Sequence, residues 1–242
     1  MLLHPAYTYP EQLPTQLRQQ GYAVLSPDGV AQLAGCTGAE LEALAPSWND
    51  LAPDAYLKDG GRYRRRRHAS FVVEGERLLQ APHRAHWQPV EYNALHGGME
   101  RWFEPVQPQV IAHPAWSRLL LALAGVASGL KGAQPWYVEA HQFRIDTAGG
   151  IGRPTPEGAH RDGVNLVAVF LVAREGIKGG ETRVFQSDGP AGQRFTLTTP
   201  WSVLLLDDER VIHETTPIQP VAESGYRDTL VVTCRGGGFQ DA

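Results

Sequence analysis

WYVEAHQFRID, residues 136–146, opens a series of short runs rich in β-branched and aromatic residues, and its reading decides the fold. In an extended chain it alternates, with His141 and Phe143 on one face and Gln142 and Arg144 on the other. Five more runs follow at 165–173, 181–186, 194–199, 202–206 and 226–234, separated by Gly, Pro and Asp. No helix-length segment lies between them, which argues against a βαβ fold and for an antiparallel sandwich or jelly roll. Upstream, residues 62–73 predict one further strand that extends a sheet. The remaining signals before residue 131 are helical. Residues 11–20 are polar and stop at Gly21, and Thr37-x-x-Glu40 is a capping-box pattern ahead of 41–45. Residues 114–130 place Trp116, Leu119, Leu120, Leu123 and Val126 at helical spacing after Pro114. The expected class is mostly β with flanking α (α+β). A jelly-roll, cupin-like core over 131–242 carries helical and strand elaboration over 1–130, all as one domain, 1–242.

The chain has 242 residues, 42% of them hydrophobic, enough to bury a core without disulfides. A net charge of -4 and a pI near 6.1 disfavour nucleic acid or an anionic membrane as a bulk partner. Positive charge is concentrated locally, in Arg62 and Arg64 to Arg67. Cys36 and Cys234 lack CxxC spacing and are expected to be buried free thiols. There is no secretory pattern and no apolar run of the roughly 20 residues a bilayer requires, so a soluble cytoplasmic protein is expected. Gly179-Gly180 predicts a turn, and Gly236 to Gly238 a flexible exit from the last strand. No Walker-type or G-x-S-x-G sequence offers a competing active site.

His160 and Asp162 stand two apart at the entrance to a predicted strand, so their side chains share a face. His213 follows the apolar strand 203–206 and the loop 207–211. Two imidazoles and one carboxylate make the 2-His-1-carboxylate set that holds iron(II) and leaves positions open for substrate and dioxygen. An isolated H-x-D triplet is common and can also be a surface feature. In the last run, Arg227, Thr229, Val231 and Thr233 share a face. A guanidinium facing inward there costs several kcal/mol unless an anion meets it, and a dicarboxylate co-substrate would supply that anion. The alternative is that Arg227 faces outward and pairs with Asp228 or another surface carboxylate.

AHQFR at 140–144, AHRD at 159–162, GGET at 179–182, IHETTP at 212–217 and YRD at 226–228 together resemble a known family. It is the bacterial 2-oxoglutarate and iron(II) dioxygenases that hydroxylate free L-amino acids, of the L-isoleucine hydroxylase type. Weaker similarity covers Gln20-Gly21-Tyr22 and Arg64-x-Arg66. The resemblance implies a double-stranded β-helix, iron(II) on His160, Asp162 and His213, and Arg227 on the distal carboxylate of 2-oxoglutarate. The partners it implies are a small-molecule substrate and dioxygen.

The substrate does not transfer with the resemblance, because the basic segment is more charged than an aliphatic amino-acid site needs, and Trp48, Trp87, Trp102 and Trp136 could reshape a pocket. Arg66, Gln142 and Arg144 are the candidate substrate-binding residues, if their faces line the barrel. Otherwise Gln142 and Arg144 face solvent, and the arginines protect an edge strand from pairing. The remaining histidines, His4, His68, His83, His86, His96 and His113, show no second ligand spacing. A protein or peptide hydroxylase of the same superfamily, and a cupin-like metal-binding sensor without turnover, are the rival readings.

Overall fold

The computed structural model describes residues 3–241. Its centre is the pairing of β4 (Trp136–Asp146) with β12 (Tyr226–Gly236), antiparallel along their whole length. Beyond β12 lie β5 (Leu166–Glu175), β9 (Val203–Asp207) and β1 (Tyr22–Leu25). On the other side of β4 lie β2 (Arg64–Glu74) and β3 (Arg77–Gln80). The large sheet therefore runs β1-β9-β5-β12-β4-β2-β3, and its three outermost contributions come from the N-terminal part of the chain.

A smaller wall faces it. β7 (Thr182–Gln186) pairs with both β10 (Val211–Thr215) and β8 (Gly192–Phe195), and β6 (Ile177–Gly179) pairs with β11 (Ile218–Pro220). From β5 onward the chain crosses repeatedly between the walls, large to small and back, ending in β12. That path is the double-stranded β-helix.

The strand period of two divides the large sheet into unlike faces. One face, with Trp136, Val138, Ala140, Phe170, Leu205 and Val232, packs against α1 (Leu13–Gln20), α2 (Pro27–Ala34), α3 (Gly38–Glu42), α4 (Pro108–Ile111) and α5 (Pro114–Lys131). The other face meets the small wall through a second apolar cluster, including Val167, Leu171, Leu204, Val184 and Phe195. The rest of that inner face is polar and lines a cavity.

The expected helices at 114–130 and 11–20 are present as α5 and as a 3-10 turn running into α1, which ends on Gly21 at φ 74°. The Thr37/Glu40 capping box is formed, but its helix is α3, three residues earlier than 41–45. Several elements were not legible, among them α2, β1 and β10. α2 begins at a Ser26 cap, and β1 is four residues of apolar run without alternation. β10 occupies residues read as the approach to His213.

The segment 64–67 is not an open edge: β3 pairs only with 71–74, but the stretch 52–54 covers 64–67, with Asp54 N–H donating to the Arg64 carbonyl and Arg66 N–H to the Ala52 carbonyl, each at 2.9 Å. Cys36 is half-buried and only Cys234 fully buried, and both are free. None of the four tryptophans lines the cavity, which corrects the expectation that they reshape it: Trp48 and Trp136 belong to the helix-side core, Trp102 is exposed and Trp87 half-buried. No helix among the described residues is long and apolar enough to cross a membrane.

Trp136 docks α5 on the sheet, with its indole N–H donating to Ser128 Oγ at 2.7 Å. Trp136→Ala should cost about 3–5 kcal/mol through lost burial and the cavity left behind. At about 2–4 °C per kcal/mol for a chain this size, thermal unfolding should show the drop plainly. Trp102→Ala, at a side chain 53% exposed, is the control and should stay within about 0.5 kcal/mol of the parent.

Candidate metal centre and its cavity

Between the two walls lies a cavity of about 120 Å³. At one end, one donor atom each from His160, Asp162 and His213 fall within 4.8 Å of one another. The backbone brings them there. His160 and His213 exchange both main-chain hydrogen bonds at 3.0 Å, so a loop residue is registered against β10 and the two rings face each other with centroids 4.6 Å apart. Asp162, two residues on, turns its carboxylate to the same point. His160 Nε2 is 3.8 Å from Asp162 Oδ1, and His213 Nε2 is 3.9 Å from Oδ2. Both separations exceed a hydrogen bond, so the three donors converge on a shared point rather than on each other.

The imidazole orientations suit a ligand role. His160 Nδ1–H donates to the Gly158 carbonyl at 2.9 Å, which leaves the Nε2 lone pair free. His213 lies deeply buried, and burial together with the charge of His160 holds its pKa well below the ordinary value. For His160, burial opposes protonation, but the carboxylates of Asp162 and Glu157 outweigh it and raise its pKa. A divalent cation between the rings would take the place of the proton that those carboxylates favour. Two neutral nitrogens and one carboxylate oxygen are the donor set of a non-haem iron(II) site, so the residues fit that metal.

Asp208 anchors the loop from inside the protein. Its carboxylate accepts the backbone N–H groups of Asp162, Gly163 and Val164 at 3.1, 2.8 and 3.1 Å. Burial and the neighbouring Asp162 charge push its pKa up to about 7 despite those three donors. The C-terminal tail is not a free exit, correcting that expectation. Gln240 returns to donate to the carbonyls of Asp162 and Gly163 at 3.1 and 3.0 Å, and Phe239 packs edge-on against Tyr137.

Arg227 faces the cavity and is 3% exposed, and its Nη2 has no partner among the described residues. Burial and the nearby Arg174 charge lower its pKa to about 10, with Asp228 only partly compensating, so it remains a cation at neutral pH. It does not pair outward with Asp228, whose carboxylate lies on the other face of the strand. There Asp228 takes both Nε and Nη2 of Arg144, each at 2.7 Å.

That same pairing corrects the expectation that Gln142 and Arg144 face inward. Gln142 is buried but donates to Ser47 Oγ at 2.7 Å, beneath the 3-10 turn Ala45–Asp50, and neither residue lines the cavity. The face of β4 that does is the other one, with Glu139, His141, Phe143 and Ile145. Arg64 and Arg66 point inward from β2, while Arg65 and Arg67 point out. Arg66 is held between Phe103 and Phe143, its Cζ 3.7 and 4.4 Å from the ring centroids.

A second cluster escaped sequence reading altogether: His68, His86, Glu139 and His141, all buried. Glu139 accepts from His68 Nε2 at 3.0 Å and from His86 Nδ1 at 3.2 Å. The two imidazoles outweigh the burial cost of the carboxylate and keep it ionised. Arg66 Nη2 is 2.7 Å from His141 Nδ1, and Arg84 Nη1 is 3.7 Å from Glu139 Oε1. A dication here would be set among guanidinium groups, so this cluster suits a hydrogen-bonded wall and the His160 end fits a metal better. Its members come from three segments joined only by strand register, His68 lying opposite His141, and no local spacing announces them.

The model of one protein family, described as 2OG-Fe dioxygenase, matches residues 45–233. A bsmA homologue from Methylobium petroleophilum PM1 has a crystal structure that is 52% identical, with a TM-score of 0.94 over 98% of this chain and 97% of that one. Two more distant structures share the fold. IDO from Bacillus thuringiensis is 16% identical, with a TM-score of 0.77 over 98% of this chain and 100% of its own. The Fe(II)/α-ketoglutarate-dependent dioxygenase TqaL is 19% identical, with a TM-score of 0.71 over 94% and 86%. No curated protein matches the sequence.

Proposed function

The chain belongs to the 2OG-Fe dioxygenase family, and from that premise we propose that it hydroxylates a free amino acid or a similar small carboxylate-bearing molecule, with residues 1–242 acting as one catalytic domain. In this reading His160, Asp162 and His213 hold iron(II), Arg227 takes the distal carboxylate of 2-oxoglutarate, and Arg66 takes a carboxylate of the substrate. Iron(II) with 2-oxoglutarate supplies oxidising chemistry that couples decarboxylation to succinate with oxygen insertion into a C–H bond. The rest falls to the protein. It keeps three ligands convergent, holds two organic anions in fixed directions, and excludes water from a cavity walled by the two sheets.

One observation carries the reading: the convergent triad and several buried guanidinium groups, Arg227, Arg66 and Arg64 among them, line one cavity. Arg64 already meets the buried Asp54 carboxylate at 2.7 Å and Arg66 stands 3.9 Å from it, so the demand for a further anion falls on Arg227 and on the Nε of Arg66, which is unpartnered among the described residues. The stretches at 140–144 and 212–217 that resemble free amino-acid hydroxylases point the same way.

The test is succinate release from 2-oxoglutarate with each of the twenty free amino acids, in the parent and in Arg66→Lys. We expect at least one amino acid to stimulate release, and Arg66→Lys to lower the coupled fraction several-fold while the uncoupled background survives. Lysine keeps the charge but loses the planar fork that fixes a carboxylate's direction. If none of the twenty stimulates release, the substrate assignment falls. Unchanged coupling in Arg66→Lys would move the anchor to another residue.

A further inference from the structure

Gln88 lies buried on the segment between His86 and Arg101, whose ends are closed by a pair of backbone hydrogen bonds at 2.9 and 3.0 Å. Its side chain reaches Asp162, with Nε2 donating to Oδ1 at 3.2 Å. On the other side its Oε1 accepts from Arg101 Nη2 at 2.8 Å and from Asn93 Nδ2 at 3.1 Å. Asn93 is fixed in turn, because its Oδ1 accepts the His96 backbone N–H at 2.8 Å.

We propose that Gln88 is a positioning residue for the metal carboxylate: held by Arg101 and Asn93, it occupies Asp162 Oδ1 and leaves Oδ2 as the single metal-binding oxygen. The inference rests on the assignment of His160, Asp162 and His213 as the metal ligands.

The amide can face only one way. Arg101 offers donors and no acceptor, so the oxygen of Gln88 must face it and the NH₂ must face the carboxylate. The reversed amide would set NH₂ against a guanidinium and a carbonyl against a carboxylate. The segment that carries it is also rigid. Gly98 N–H donates to the Gln88 carbonyl at 2.8 Å, and a Cβ on Gly97 would come within 2.5 Å of the Asn93 carbonyl oxygen. With Oδ1 engaged, only Oδ2 remains unoccupied, on the side of His213 Nε2. One oxygen of one carboxylate is what a facial triad uses, and a second bound oxygen would take a position that substrate or dioxygen needs.

Cobalt(II) serves as the probe, titrated into metal-free protein and followed by calorimetry and by its visible absorption, with thermal unfolding as the check on folding. Gln88→Met keeps the side chain's bulk without its hydrogen bonds, and Gln88→Ala removes both. Loss of a hydrogen-bonding partner of a metal ligand weakens binding by about 10–100-fold, and both variants should show this with an altered cobalt spectrum. Arg101→Ala should weaken binding in the same direction. The double variant Gln88→Ala/Arg101→Ala should be no weaker than Gln88→Ala alone, because the arginine acts through the glutamine. If Gln88→Ala does not fold, Gln88→Met decides. Parent-like cobalt affinity and spectrum in a folded Gln88→Met overturn the proposal, and an additive double variant overturns the part given to Arg101. Parent-like cobalt binding in Asp162→Ala would instead overturn the ligand assignment itself.

Discussion

Ala in place of His160, Asp162 or His213 should abolish iron(II) binding and turnover and leave the fold standing. The two expectations have separate physical sources. Each residue supplies one of three convergent donors, and no other His, Asp or Glu is grouped with them among the described residues. The sheets are held by apolar clusters that include none of the three. Asp162→Ala also removes the charge that helps push the Asp208 carboxyl up to about 7, so the metal-free variant should be as stable as the parent or slightly more so.

Thermal unfolding with and without metal separates these effects. A metal at 100 times its Kd stabilises the native state by about 2.7 kcal/mol, which the parent should show and all three variants should lack. Measured iron content and a metal-induced shift in Tm therefore test the triad without reference to the substrate. A variant that keeps both the shift and full turnover is not a ligand variant.

The strand half of the fold was legible because the code of β4, β5 and β12 is local: alternation, β-branched content and turn residues act within a few positions. β4 is found at its expected bounds for that reason. β1 and β10 gave no such signal. Each is too short to show a period, and each is fixed by a partner far off in sequence, β9 for one and β7 for the other. The helix α2 buries one face through Gly29, Val30 and Ala34, but at eight residues it spans little more than two turns, and its start is marked by the Ser26 cap.

The site divided along the same line. His160, Asp162 and His213 could be proposed because three residue types at recognisable places carry the chemistry. Which face of β4 points inward could not be read, since Gln142 and Arg144 alternate as well outward as inward. The decision was made by Asp228 on the neighbouring strand, opposite Arg144 in register, which gives that arginine a partner away from the cavity. Gln88, Arg101 and Gln240 lie outside every regular strand, and only the folded loop and tail bring them to Asp162.

Arg227→Ala should raise the 2-oxoglutarate requirement at least tenfold while iron(II) still binds. A charge-assisted hydrogen bond is worth about 1.5–3 kcal/mol, and about 1.4 kcal/mol corresponds to a factor of ten in affinity. The guanidinium is buried and its Nη2 lacks a partner among the described residues, so the protein offers nothing that would replace a bound dicarboxylate. The same burial gives the substitution a second, opposite signature. Without 2-oxoglutarate, Arg227 is a cation carried at a cost, seen in a pKa lowered from its ordinary value to about 10. Below pH 10 the group is protonated in both the folded and unfolded chain, so this cost is fully present at neutral pH, and it is relieved only as pH rises through that value. Replacing Arg227 with methionine, which fills much of the same space, should leave the ligand-free protein as stable as the parent or more so, while abolishing the stabilisation that 2-oxoglutarate confers. Arg227→Lys should fall between, because it retains charge without the two-pronged geometry. An assay of succinate formation against 2-oxoglutarate concentration, run beside thermal unfolding with and without the co-substrate, reads both signs. A methionine variant that is less stable when ligand-free yet unchanged in its 2-oxoglutarate dependence would make Arg227 a structural cation and place the dicarboxylate elsewhere in the cavity.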